Sequence, residues 1–329
     1  MTYQSEYVLN EFQSLVFKVF GENITRIDKL NADASDRNLF RIFTEKRSVI
    51  GVKNKHIKEN LAFINFSRAF LNAGFNVPDV YAVSEDAKIY IEEDLGDINL
   101  FIFSKTASRD ECLNYYMKAL SGLLDFQIRG LNIVDLKYCY QTENFSNDLL
   151  YSDFQKFEEY YITKLKKSDI DEALFNDVYN LLCTVNSGAD NNFFLYRDFQ
   201  TRNIMVKDCE LYFIDFQSGR RGPLQYDAAS FLYSGSIDLS EDERSLLLNF
   251  YIDAVNKRTG ANVEKFMHEF YFFALMRLIQ ILGSYGYTYE KKKDESVLKK
   301  IPKAISNIGS LRTKTSDPVI LKFIDYLTS

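Results

Sequence analysis

Hydrophobic and polar positions follow two different rhythms along the chain. Val8, Leu9, Phe12, Leu15, Val16 and Val19 recur at helical spacing and predict a helix over residues 4–20. Residues 39–43 and 48–52 then read as two strands around the charged turn Thr44-Glu45-Lys46-Arg47. A helix follows over 58–73, with Phe63, Phe66 and Phe70 on one side and Gly74 as its stop. Residues 80–83 and 88–91 form a second hairpin pattern. Beyond residue 97 the spacing is mostly helical (108–128, 147–166, 169–186, 240–258 and 262–284), interrupted by a β-rich island between Phe193 and Phe216. The order predicts an α+β, two-lobe protein, with a small β-rich N-lobe over 1–96 and a larger helical C-lobe over 97–329. A ligand cleft between such lobes is the ordinary expectation.

Composition narrows the chemistry. The 329 residues are 46% hydrophobic and 26% charged, the profile of a packed protein. A formal charge of -6 offers no general attraction to nucleic acid or to an anionic membrane. The longest apolar stretch, Phe270 to Leu282, is broken by Arg277 and Gln280 and is too short to span a bilayer. The start of the chain lacks the basic-then-apolar layout of a secretory signal. Four scattered cysteines form no CxxC pair, which fits a reducing compartment, and the expected location is cytoplasmic. The two histidines, His56 and His268, have no metal-ligand spacing. Catalysis would therefore rest on carboxylates, amides and cations.

The β-rich island carries those groups. Strands at 204–206 and 211–214 flank a tight turn, and antiparallel pairing would set Asn203 opposite Asp215. Asp198 precedes Asn203 by a loop long enough to reach the same place. Three oxygen-bearing side chains at one strand end suit a hard cation such as Mg²⁺. Farther on lie Gly222-Pro223-Leu224-Gln225-Tyr226-Asp227-Ala228-Ala229.

The D-x-x-x-x-N spacing from Asp198 to Asn203, followed by Ile214-Asp215-Phe216 and the Gly-Pro-x-x-Tyr-Asp-x-Ala run, resembles the aminoglycoside phosphotransferase and choline kinase superfamily. Within that superfamily the run from Ile214 to Leu232 is similar to bacterial anomeric kinases of N-acetylmuramate and N-acetylglucosamine. The resemblance spans roughly residues 25–310. It implies a protein-kinase-like fold that moves the γ-phosphate of ATP, with GTP left open, onto a small-molecule hydroxyl with Mg²⁺. By it, Asp198 is the catalytic base, and Asn203 and Asp215 hold the metal. Asp227 would accept backbone N–H groups from the catalytic loop, and Tyr196, Arg202 and Arg221 would support the site. Residues 90–97, with Glu92 and Asp94, resemble the adenine-holding hinge, and residues 30–41, with Ser35 and Arg37, the phosphate-covering loop. Lys53 is the candidate for the strand lysine that meets the phosphates, and Glu59 a candidate partner for it.

The pattern departs from the family at two points. Tyr196 stands where His is usual, and the nucleotide loop offers Asn31, Ala32, Ala34 and Ser35 in place of glycines. The expected partners are a nucleotide and a small acceptor, an amino sugar foremost. Kinases of aminoglycosides, choline or homoserine and a low-turnover nucleotide-binding regulator remain as rivals, and oligomeric state is left open. A protein kinase is disfavoured because no A-P-E-like segment follows Asp215.

Overall fold

A computed structural model describes residues 3–30 and 37–329, and the side chains from residue 10 onward in the first helix. Ser35, with Asn31, Ala32 and Ala34, lies outside the described residues. The chain runs α1 (Tyr3–Phe20), β1 (Arg26–Leu30), β2 (Asn38–Phe43), β3 (Ser48–Lys53), α2 (Ile57–Asn72), β4 (Val80–Val83) and β5 (Ile89–Glu93). It continues through α3 (Leu100–Phe103), α4 (Arg109–Arg129), α5 (Asn147–Lys156), a π-helix over Phe157–Lys166, α6 (Glu172–Gly188) and β6 (Phe193–Leu195). The hairpin β7 (Ile204–Lys207) and β8 (Glu210–Phe213) precedes β9 (Arg220–Gly222), α7 (Leu224–Leu232), α8 (Glu241–Thr259) and α9 (Val263–Lys292). Two last helices, α10 (Ile301–Ser310) and α11 (Pro318–Thr328), complete it. The result is the α+β, protein-kinase-like architecture, with an antiparallel sheet toward the N-terminus and helices toward the C-terminus.

These elements gather into two compact units. The first holds Met1–Lys105, Gly130–Glu143 and Arg202–Gly219; the second holds Thr106–Arg129, Asn144–Thr201 and Arg220–Ser329. The first is built on a five-stranded antiparallel sheet in the order β1-β2-β3-β5-β4. Alternation along these strands gives the sheet two apolar faces. Phe40, Ile42, Val49, Ile89 and Ile91 pack against Phe12, Leu15 and Val16 of α1. On the other face Tyr90 stacks on Phe63 of α2. Strand β1 lies outside the elements that apolar spacing predicts: its Arg-Ile-Asp-Lys-Leu sequence is mostly polar, and the strand exists because its backbone pairs with β2 from Arg26↔Phe43 to Leu30↔Leu39.

The hairpin of the first unit departs from expectation by one residue. Its loop is the two-residue Asp208-Cys209, both at positive φ (51° and 63°), as a type I′ turn requires. Ile204 therefore pairs with Phe213, and Asn203 falls opposite Ile214, whose N–H its carbonyl accepts at 3.0 Å, rather than opposite Asp215. The hairpin is tied to its unit through Val206 N–H to Ile98 O (2.8 Å), Phe213 N–H to Asn76 O (2.9 Å) and Lys207 Nζ to Glu93 (2.7 Å).

In the second unit α9 is the spine, buried along Phe266, Phe270, Phe273, Leu278 and Leu282. Its expected end at residue 284 is overrun by two turns, so Tyr285, Gly286 and Tyr287 are helical rather than a cap. The expected single helix over 147–166 changes to π geometry at Phe157. Phe154, Phe157 and Tyr161 keep spacings that an α-helix also uses, so the wider turn leaves no trace in the apolar pattern. A Cβ on Gly286 would lie 2.5 Å from the backbone carbonyl of Tyr160, and one on Gly283 2.9 Å from Phe157 N. Only glycine lets α9 and the π-helix touch backbone to backbone.

Gly286→Ala should therefore destabilise the protein by about 3 kcal/mol, because backbone cannot yield as a side chain can. Gly309→Ala, in α10 with its nearest neighbour 3.6 Å away, should be neutral or stabilising. Thermal melts of the two variants side by side test the contact.

Candidate active site

Asp215 stands just past the end of β8 at φ 68°, in the left-handed region that a non-glycine residue enters only at a cost of about 1–2 kcal/mol. That turn brings its carboxylate back toward Asn203 despite the offset register. Asn203 Nδ2 donates to Asp215 Oδ2 at 3.0 Å. Arg37 Nη2 donates to Asp215 Oδ1 at 2.6 Å, and Gln217 Nε2 donates to the same oxygen at 2.8 Å. So Arg37, Asn203 and Asp215, widely spaced in sequence, meet within the first unit. Behind them Phe216 lies parallel to Phe63 (5.2 Å, 8°), which stacks in turn on Tyr90 (5.5 Å, 25°). This aromatic column fixes the backbone that presents Asp215.

The donor chemistry of this cluster suits magnesium. A carboxylate and an amide supply hard oxygens, and beside them the buried Oε1 of Gln217 has no hydrogen-bond partner among the described residues. Among the described residues no group of three or more His, Cys, Asp or Glu side chains forms a metal site, so any ion here would rely on the amide and on substrate oxygens.

The remaining nucleotide candidates of the first unit lie at different places. Arg41 reaches Asp94 (Nη2 to Oδ1, 3.0 Å) and Asp97 (2.7 Å), and Gly96 N–H donates to Asp94 Oδ1 at 3.0 Å. Burial would raise the Asp94 pKa, but Ser48, Gly96 N–H and Arg41 together hold it below its ordinary value. Glu92 is the opposite case. Burial pushes its pKa up to about 8 against the pull of Arg37, and its Oε2 has no hydrogen-bond partner. Lys53 Nζ pairs with both oxygens of Glu11 on α1 (2.7 and 2.6 Å). Glu59, the anticipated partner of Lys53, instead faces Arg37 Nε at 3.8 Å and accepts from Asn54 Nδ2 at 3.0 Å.

Asp198 belongs to the second unit, on the loop after β6. The loop is anchored by Asp227, fully buried in α7, whose two oxygens accept from Tyr196 N–H (2.7 Å) and Arg197 N–H (2.8 Å). Gln127 Nε2 approaches Asp227 Oδ2 at 3.4 Å, and Tyr251 O–H holds Gln127 at 2.5 Å. Burial lifts the Asp227 pKa to about 7; the two N–H groups and Gln127 oppose that lift and the Asp198 charge adds to it. Tyr196 is wholly buried, edge-on to Phe126 and Phe199. Arg221 Nη1 donates to Asn192 Oδ1 at 3.3 Å, and Arg202 sits in the short turn Thr201–Asn203 of the hairpin's approach.

Two further residues carry no role in the sequence reading. Arg197 takes φ 80°, with its guanidinium on Tyr226 Oη (2.9 Å), near Asp153 (3.6 Å) and over the Tyr226 ring. A charged residue directly before Asp198 was the available signal. Gln217, two residues after Asp215, had none. Arg277, which breaks the apolar stretch of α9, donates to Ser230 Oγ at 3.0 Å and Gln280 Oε1 at 2.5 Å.

Asp227→Asn should cost about 3 kcal/mol, since an amide accepts one of the two N–H bonds and turns a donor toward the other; chemical denaturation measures it. Glu92 gives a pH signature. Its folded pKa lies above the unfolded value, so the folded state keeps a proton that the unfolded state loses between about pH 4.5 and pH 8. Stability from this group is present below that window and is lost as pH rises through it. Glu92→Gln should melt with wild type near pH 5 and above it at pH 8.5.

Comparison with known proteins agrees with this architecture. Residues 149–261 match the phosphotransferase enzyme family. The chain is 22% identical over 267 residues to an N-acetylmuramate/N-acetylglucosamine kinase of Pseudomonas aeruginosa, covering 78% of this chain and 75% of the relative. An N-acetylmuramate/N-acetylglucosamine kinase from Neisseria meningitidis serogroup B is 22% identical over 84% of this chain and 82% of its own. Among solved structures, choline kinase LicA from Streptococcus pneumoniae superposes with a TM-score of 0.65 at 13% identity, over 94% of this chain and all of its own. ADP-bound aminoglycoside phosphotransferase APH(2'')-Ib does so with a TM-score of 0.58 at 15% identity, over 91% and 97%. On a protein-kinase-like fold, with residues 149–261 matching the phosphotransferase enzyme family, the chain is a small-molecule phosphotransferase whose acceptor is a hydroxyl group.

Proposed function

We propose that the chain transfers the γ-phosphate of ATP to a hydroxyl of an amino sugar, with N-acetylmuramate and N-acetylglucosamine as the foremost acceptors. The observation that carries this reading is the convergence of Arg37 and Asn203 on the Asp215 carboxylate, with the Asp198 loop separately anchored by Asp227. The sugar rests on the two relatives, both kinases of these sugars, which align over 78% and 84% of this chain.

In this reading residues 1–96 bind the nucleotide and residues 97–329 carry catalysis and the acceptor. Asn203 and Asp215 would hold Mg²⁺, which supplies charge neutralisation at the phosphates when bound. Asp198 orients the acceptor hydroxyl and takes its proton as the phosphorus–oxygen bond forms. Asp227 positions Asp198 through the backbone of Tyr196 and Arg197. Most of the rate then comes from positioning and fixed charge rather than covalent chemistry.

Phosphorus NMR of the protein with ATP and magnesium should reveal a new sugar phosphoester with N-acetylmuramate or N-acetylglucosamine. Coupling to the anomeric proton would identify the site. Turnover confined to choline, homoserine or an aminoglycoside would displace the sugar reading, and GTP in place of ATP tests the donor. Asp198→Asn should lower kcat by about 10²- to 10⁴-fold with little change in nucleotide affinity. Unchanged turnover in that variant would remove Asp198 from the mechanism.

A further inference from the structure

The register of the sheet separates two cations that the sequence could not tell apart. Asn38, Lys53 and Ile89 align across β2, β3 and β5, as do Phe40, Gly51 and Ile91 one pair of residues on. Phe40, Ile89 and Ile91 are the residues that pack against α1, so Lys53 shares the α1 face, and its ammonium group meets Glu11 there. The intervening rows, Leu39–Val52–Tyr90 and Arg41–Ile50–Glu92, point the other way. On that second face Tyr90 begins the aromatic column that ends at Phe216, next to Asp215. Reaching Asp215 from Lys53 would require crossing the sheet.

Arg37 lies one residue before β2, in the same alternation as Leu39 and Arg41, and its side chain arrives at the second face. There it is clasped between Asp215 (2.6 Å) and Glu59 of α2 (3.8 Å). Glu59 is held in turn by the buried Asn54, whose own backbone N–H is bonded to Lys88 O at 2.9 Å and whose Oδ1 accepts from His56 N–H at 3.0 Å. The order Asn54–Glu59–Arg37–Asp215 thus sets a fixed guanidinium beside the candidate metal ligands. Burial disfavours its charge, but Asp215, Tyr90 and Glu59 outweigh that and keep it protonated.

We propose that Arg37, positioned by Glu59, is the cation that holds the nucleotide's inner phosphates, and that Lys53 is a structural residue joining the sheet to α1. This rests on the kinase reading above and deepens it. A guanidinium offers five donors in a planar fork, so it can keep one edge on a carboxylate while presenting another to phosphate oxygens; an ammonium group cannot divide itself so. Small residues or glycines in the preceding loop matter less when a side-chain cation near the loop's end supplies the contact.

Equilibrium binding of ADP and of AMP, without sugar, tests the assignment by titration calorimetry. Arg37→Gln should weaken ADP about 10- to 100-fold, the loss expected for charge-assisted hydrogen bonds, and weaken AMP, which lacks the β-phosphate, by less. Glu59→Gln should give a smaller loss of the same ADP-selective kind, and Arg37→Lys a partial rescue. Lys53→Gln should leave ADP affinity within about twofold while lowering the melting temperature. A Lys53→Gln variant that loses ADP while Arg37→Gln keeps it would overturn the assignment, as would equal losses for ADP and AMP in a folded Arg37→Gln protein. Failure of the wild-type chain to bind ADP at all would instead sink the kinase reading, and the proposal with it.

Discussion

A single buried carboxylate bears the loop that carries Asp198. Asp227 accepts two consecutive backbone N–H groups, from Tyr196 and Arg197, at 2.7 and 2.8 Å. Arg197 is in the left-handed region, a conformation that costs a non-glycine residue about 1–2 kcal/mol. Each hydrogen bond contributes about 0.5–1.5 kcal/mol even to an uncharged acceptor, so the pair offsets the strain. The Arg197 side chain adds its bond to Tyr226 Oη. Asp198, the next residue along the chain, inherits a direction from this arrangement without itself being the stabilising group. Tyr196 in place of histidine fits the same logic: its ring fills a fully buried slot between Phe126 and Phe199, a packing task that an aromatic residue performs at least as well.

The first unit solves a different problem, that of presenting charge from a sheet covered on both sides. Alternation commits every second residue to each face, and α1 claims one face entirely. On that face Lys53 pairs with Glu11. Cations on the other face, Arg37 and Arg41, meet the carboxylates Asp215, Glu59, Asp94 and Asp97. Strand parity therefore sorts the basic residues by task before any ligand is considered.

Much of this is legible in the sequence, and the failures share a cause. The helices at α1, α2, α4 and α8 and the strands β2 to β5 follow from apolar spacing because each buries one face. The contact between Asn203 and Asp215 also follows from the hairpin pattern, although the register is displaced by one; a two-residue I′ loop sets that register, and the left-handed turn at Asp215 restores the meeting. Strand β1 escapes notice because its side chains are largely exposed, with Ile27 packed against the core beneath them. The π-helix escapes because its apolar spacing mimics an α-helix. The choice between Arg37 and Lys53 is closed to sequence reasoning, since parity decides it only once the helix covering each face is known.

An acidic chain that handles polyanions must resolve its own repulsion locally. Around Arg37 stand Asp215 and Glu59, so with both ionised and no other cation present that cluster carries one net negative charge. A nucleotide's phosphates would meet this deficit unless a divalent ion arrived with them. Glu92, which would deepen it, is instead kept protonated by burial up to about pH 8. The charge balance that matters is therefore that of the side chains around Asp215, and the formal charge of -6 over the whole chain is beside the point. What counts is the sign of the field within a few ångströms of Asp215, where screening by salt is weakest.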